Sequence, residues 1–211
     1  MSLLLLHPRD AAVKRLIGDT ARAFRQGSRI HPNRAPYEFY PTPPAATRAL
    51  LSVEDFDGPV WEPACGQGHI ARVLEAAGLQ VVCTDLVDYG YGEGGRDFLA
   101  ETKPLGKHII TNPPYGRGLA DAFVRHALKL TRATGGKVAM LLSIDSLCHP
   151  IRHALFTSAP PKVIYCLDDC QCWPEGDPAK ATTSLKRQRY CWAVWQAGHR
   201  GPAQLKWLST R

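Results

Sequence analysis

The tetrapeptide Asn112-Pro113-Pro114-Tyr115 suits one chemical problem, that of exposing the lone pair of an amino group attached to an aromatic ring. Such a nitrogen is a poor nucleophile because its pair is delocalised into the ring. Two acceptors that bond both amino hydrogens favour a pyramidal nitrogen, and the Asn112 side-chain carbonyl and the Pro113 backbone carbonyl supply such a pair. The prolines stiffen the turn and bring no amide hydrogen of their own. Tyr115 offers a flat face for an extruded base, worth about 1–3 kcal/mol, and a base held in a duplex has to flip out to reach it. An isolated Asn-Pro turn after a strand is also common structural punctuation, so its company decides.

That company begins at Glu62-Pro63-Ala64-Cys65-Gly66-Gln67-Gly68, which follows a short apolar run and precedes a helical pattern. Doubly wound sheets bind nucleotide-like ligands at this place, beyond the carboxyl ends of the strands. The glycines allow a tight turn and a close approach of ligand to backbone. Asp85 ends the next apolar run about 20 positions after the turn, where an acidic side chain accepts hydrogen bonds from two ribose hydroxyls; Asp88 competes for that role. In Gly95-Arg96-Asp97-Phe98-Leu99, Asp97 is placed to accept from an adenine amino group and Phe98 to stack on its ring. The same stretch also reads as a short edge strand with Phe98 in the core.

These residues need a scaffold that brings them to one edge. Short apolar runs at 59–61, 79–84, 108–111, 138–143, 163–167 and 190–195 alternate with helical patterns at 45–51, 70–77, 119–131 and 147–156. Alternation of this kind predicts a mostly parallel sheet with helices on both faces. No helical pattern appears between Leu167 and Tyr190, so the last two of these runs are expected to form a hairpin with a long loop. Ahead of the sheet, 11–26 reads as an amphipathic helix with a basic outer side, and 30–44, rich in Pro and aromatics, as an irregular segment laid over the domain.

The chain has 211 residues, enough for one complete α/β domain and short for a second folded module. Its formal charge of +7 favours a polyanionic partner. Leu3 to Leu6 is too short for a membrane span and has no basic segment before it. Seven cysteines, an odd number, read as reduced thiols, and the expectation is a cytoplasmic protein without a signal peptide. Cys166, Cys170, Cys172 and Cys191, with His199 nearby, lack a paired Cys-x-x-Cys knuckle, so no metal is expected.

Taken in order, the motifs resemble S-adenosylmethionine-dependent adenine-N6 DNA methyltransferases in which the cofactor motifs precede the catalytic one. The resemblance spans about 40–143 and includes Thr42-Pro43-Pro44. It implies a Rossmann-like class I methyltransferase fold, with a mostly parallel seven-stranded sheet, a C-terminal antiparallel hairpin and helices on both faces. A basic, Pro- and aromatic-rich segment at 1–44 would pack on a catalytic domain at 45–211. The resemblance further implies that Tyr40, Thr42 and the turn Glu62, Pro63, Ala64, Cys65, Gly66 and Gly68 lie by the cofactor. Asp85 would serve its ribose and Asp97 and Phe98 its adenine, Leu86 would also lie by the cofactor, and Asn112, Pro113, Pro114 and Tyr115 would hold the target base, with Asn112 also beside the cofactor. No general base is evident.

The chain leaves no room for the separate target-recognition domain of larger relatives, and in this it resembles compact enzymes of phages and mobile elements. Recognition would then fall to the N-terminal basic helix, to Gly116-Arg117-Gly118, or to the loop with Lys180, Lys186, Arg187 and Arg189. DNA is the expected partner of a monomer or homodimer. The same two acceptors would equally serve adenine in RNA, cytosine N4 or a glutamine amide, and a nucleic-acid-binding homologue without catalysis is the remaining alternative.

Overall fold

Strict alternation along three strands decides how the sheet is clothed. In β3 (His108–Thr111), β4 (Lys137–Ser143) and β6 (Tyr190–Gln196), Ile110, Ala139, Leu141, Trp192 and Val194 enter one apolar cluster. Their neighbours Ile109, Val138, Met140, Cys191, Ala193 and Trp195 enter the other. A side chain every second residue points to the same face, so a strand buried on both faces reads as the continuous apolar run seen here. The computed structural model describes residues 34–148 and 150–211. The expected basic helix at 11–26 lies outside the described residues.

On the first face lie α1 (Pro44–Leu51) and α2 (Ala71–Ala76), contributing Ala46, Ala49, Leu50 and Leu74. Trp192 joins α1 to the sheet by donating from its indole nitrogen to the Ala46 carbonyl at 2.8 Å. On the second face lies α3 (Leu119–Thr131), with Ala120, Phe123, Val124, Ala127 and Leu130 at helical spacing. The helix expected at 147–156 is two helices, α4 (Ile144–Leu147) and α5 (Pro150–Ser158). Pro150 has no amide hydrogen to carry the first helix onward, whereas at the start of a helix that loss is harmless.

Seven strands form one sheet. With β1 (Val60–Glu62), β2 (Val81–Cys83), β5 (Val163–Leu167) and β7 (Gln204–Leu208) the order is β2-β1-β3-β4-β6-β5-β7. Strand β6 runs antiparallel to β4 and β5, and the other pairings are parallel. The hairpin of β5 and β6 is therefore present, with its long connection.

Two expectations about elements are corrected. Gly95 to Leu99 forms no strand, because the Asp97 side chain accepts from Leu99 N at 3.0 Å and turns the chain into a short 3-10 helix. The sheet's seventh strand is β7, which no apolar run announced, paired along β5 with Ile164 opposite Leu205 and Cys166 opposite Trp207. The connection between β5 and β6 also contains a helix, α6 (Thr183–Arg187), started by Thr182, whose side chain accepts from Leu185 N. Among the described residues no helix is long and apolar enough to cross a membrane.

Candidate active site

Strand β1 delivers Glu62 to the carboxyl edge of the sheet, and the turn that follows is held from two sides. Cys65 N donates to Thr84 O at 3.1 Å, and Gly66 N donates to Asp85 Oδ2 at 2.8 Å. The turn is thus bolted to the end of β2. Glu62 itself is buried and accepts from Ala71 N at 2.9 Å. Burial drives its carboxyl well above the ordinary glutamate range, against that hydrogen bond. Burial also pushes the Cys65 thiol up, with the Glu62 and Asp85 carboxyls adding to the effect, so Cys65 is no ready nucleophile.

The glycines of the turn make room for aromatic rings. Gly66 and Gly68 have φ of 51° and 79°, and a Cβ would meet the Phe39 ring at 2.6 Å at the first and the Tyr91 ring at 2.4 Å at the second. Gly68 is beneath Tyr91 and is not among the lining residues of the cleft, whereas Gly66 is. Phe39 in turn stacks on Tyr89, with ring centroids 4.7 Å apart.

Asp85 uses both carboxylate oxygens locally, accepting from Gly66 N and, at 2.9 Å, from Val87 N. Burial raises its pKa and these backbone bonds hold the rise in check. A carboxylate has about four lone-pair sites, so Asp85 retains acceptor capacity beside the cleft. Asp97 lines the same cleft while capping the 3-10 helix. Phe98 also lines it, yet only 2% of its surface is exposed. Its ring packs against Trp61, Phe123 and His126 at 4.8–5.1 Å, so it forms a wall anchored in the core.

Asn112 stands at the end of β3 facing this turn. Its amide nitrogen donates to Tyr40 O at 2.9 Å and lies 3.9 Å from Cys172 Sγ. A carbonyl can only accept, so the nitrogen must face Tyr40. Asn112 Oδ1 is then left buried without a donor among the described residues. Tyr40 is fixed by its own hydroxyl, which accepts from Ala35 N at 3.0 Å.

Tyr115 has a different placement from the one its motif suggests. Its hydroxyl donates to Leu141 O at 2.7 Å, and its ring touches both apolar clusters, 6.4 Å from Tyr190. Burial carries its phenol well above the ordinary range. Pro114 lines the cleft; Pro113 is buried behind it, and Tyr115 is not among the lining residues.

An open cleft of about 860 Å³ gathers Tyr40, Thr42, Glu62, Pro63, Ala64, Cys65, Gly66, Asp85, Leu86, Asp97, Phe98, Asn112 and Pro114. Sequence reasoning missed Phe39, His69, Tyr89 and Arg96, which also line it. The aromatic richness of 30–44 was the available signal for Phe39. No spacing could connect Cys172 to Asn112, because they are 60 residues apart and meet only through the long β5–β6 connection. Among the described residues no three His, Cys, Asp or Glu side chains assemble into a metal-binding group.

Neither a protein-family model nor a curated protein sequence matches the chain. Solved structures do resemble it. A protein assigned to the class I S-adenosylmethionine-dependent methyltransferases from Listeria monocytogenes aligns over 93% of this chain and 73% of its own, with TM-score 0.57 and 15% identity. A modification subunit assigned to a type I restriction enzyme of Vibrio vulnificus aligns over 92% of this chain, with TM-score 0.52 and 15% identity. The chain spans half the length of that subunit. The fold is the Rossmann-like class I methyltransferase fold, a mostly parallel seven-stranded sheet with a C-terminal antiparallel hairpin.

Proposed function

We propose that this protein transfers a methyl group from S-adenosylmethionine to the N6 amino group of adenine in DNA, acting on a base flipped out of the duplex. The observation that carries the reading is Asn112. Its amide is held by Tyr40 so that Oδ1 is a buried acceptor with no donor among the described residues, and such an atom costs about 1–3 kcal/mol until a donor arrives. An amino hydrogen of the target base is that donor.

The residues around the cleft fit the cofactor. Asp85 has acceptor capacity for a ribose diol, the turn from Glu62 to Gly66 brings backbone to the cleft, and Phe98 and Leu86 supply apolar walls. Tyr40, Thr42 and Asp97 complete the proposed set. When bound, S-adenosylmethionine supplies an electrophilic methyl carbon on a sulfonium sulfur. Asn112 Oδ1 accepts one amino hydrogen and favours a localised lone pair, while Pro113, buried and outside the cleft lining, stiffens the turn that presents it. The cleft walls fix the approach. Tyr115 acts in this reading as a brace, its hydroxyl on Leu141 O holding the turn that presents Asn112.

The same acceptor would serve adenine in RNA, cytosine N4 or a glutamine amide; the net charge of +7 favours nucleic acid over protein. Incubation with methyl-labelled cofactor and separate pools of unmethylated DNA, RNA and protein tests the reading. Label recovered as N6-methyladenine from DNA is the expected result, and label confined to protein would end it.

A further inference from the structure

The long connection between β5 and β6 is fastened to the rest of the molecule along its length. Cys170 and Cys172 are buried in the first apolar cluster. Glu175 N donates to Phe39 O at 2.9 Å, and Gln171 Nε2 donates to Gln188 O at 3.3 Å, closing the loop on itself. Leu185 of α6 packs on the core, and Arg189 O accepts from Ile144 N at 2.9 Å at the end of β4. The connection therefore presents its outer residues from a defined position, near Asn112 of the cleft, whose amide nitrogen lies 3.9 Å from Cys172 Sγ.

Those outer residues are basic. From 178 to 189 the chain has Lys180, Lys186, Arg187 and Arg189 and no Asp or Glu. Lys180 is engaged with Glu175. Lys186, Arg187 and Arg189 are exposed, and among the described residues none of them forms an ion pair with a carboxylate. Cations in the last turn of a helix can serve its dipole, but α6 has only five residues and its dipole is correspondingly small. Arg189 also donates to Lys186 O and Gln188 O at 3.4 and 3.1 Å, and three cations without a carboxylate partner among the described residues, held on a fastened arm at the carboxyl edge, are matched by a row of phosphates.

We infer that Lys186, Arg187 and Arg189 form a DNA-binding arm that grips duplex phosphates beside the target base. This rests on the reading of the cleft as an adenine-N6 DNA methyltransferase site. Each phosphate neutralised releases counterions and steepens the salt dependence of binding, by about 0.9 in the log–log slope. Phosphate contacts also set register on the duplex without reading bases.

The test compares the whole protein, a Lys186→Ala/Arg187→Ala/Arg189→Ala variant and a charge-matched control, Arg125→Ala/Lys129→Ala/Arg132→Ala. The control residues are exposed, Arg125 and Lys129 on α3 and Arg132 just past its end, and the helix leads away from the cleft; Thr134 beyond it donates to Lys107 O just before β3. Binding to a short fluorescein-labelled unmethylated DNA duplex, and to an RNA duplex of the same sequence, is followed by anisotropy over a potassium chloride series. The arm variant is expected to lose about tenfold or more in DNA affinity at low salt and to show a slope shallower by about 2 to 3. The control stays close to wild type, and S-adenosylhomocysteine affinity is equal in all three.

An arm variant indistinguishable from wild type or from the control overturns the arm. If wild type still methylates DNA in that case, the reading of the cleft stands. Wild-type protein that neither binds nor methylates DNA overturns that reading itself. Arm-dependent binding confined to the RNA duplex overturns DNA as the partner.

Discussion

The Asn112 amide nitrogen donates to the Tyr40 carbonyl at 2.9 Å, tying the turn after β3 to a segment 72 residues earlier. The bond sets the side chain's rotamer and leaves Oδ1 as the acceptor. Asn112→Ala should reduce methyl transfer by about 10²- to 10³-fold, the usual loss for one preorganised electrostatic partner. Cofactor affinity should change far less. Single-turnover rates and calorimetric titration with S-adenosylhomocysteine check both, and undiminished transfer would remove Asn112 from its role.

Asp85 joins the end of β2 to the Gly66 turn and, in the proposed site, accepts from the cofactor ribose. Hydrogen bonds to charged groups contribute about 1.5–3 kcal/mol, so Asp85→Ala should weaken S-adenosylhomocysteine binding by about tenfold or more. Circular dichroism separates this from unfolding. Equal affinity in a folded variant would move the ribose elsewhere.

Glu62 gives a pH dependence with a definite sign. Burial raises its carboxyl well above 4.5 in the folded protein, so the fold keeps a proton that the unfolded chain releases. Its stabilising contribution is complete below the unfolded value and is lost as pH rises through the folded one. Glu62→Gln stays neutral and still offers an oxygen to Ala71 N. In ligand-free protein, the stability of this variant relative to wild type should therefore increase from about pH 4.5 upward, by about 1.4 kcal/mol per pH unit inside the window. Urea midpoints across pH measure the difference; a difference independent of pH would contradict the buried, protonated carboxyl.

Trp192 tests how α1 is held. Trp192→Phe keeps a large ring in the core but leaves the Ala46 carbonyl without its indole donor. A buried acceptor so abandoned costs about 1–3 kcal/mol, which for a domain of this size lowers the melting temperature by about 2–10 °C. An unchanged melting temperature would mean that this bond adds nothing.

Much of the scaffold was legible because its signals are local. The runs that became β4, β5 and β6 are apolar at most positions, and α3 has its apolar residues at helical spacing. Strand β7 gave no such signal. Leu205 and Trp207 remain 54% and 79% exposed, so burial does not pattern it, and only pairing with β5 makes it a strand. Helix α6 was invisible for a related reason, since one capped turn of five residues is too short for a periodicity.

The order of turn, acidic strand end and Asn-Pro-Pro-Tyr is a property of the sequence, and it named Glu62, Asp85, Asn112 and Pro114 before any fold was known. Their arrival in one cleft follows from parallel strands, which end at the same edge. Only the tertiary structure decided which Asn112 atom is free to accept, because that depends on a carbonyl 72 residues away. It likewise decided that Tyr115 reaches Leu141 O and braces the turn. The reason is physical: spacing along a chain prescribes which side chains share an edge, while hydrogen bonds between distant segments choose the orientation of each.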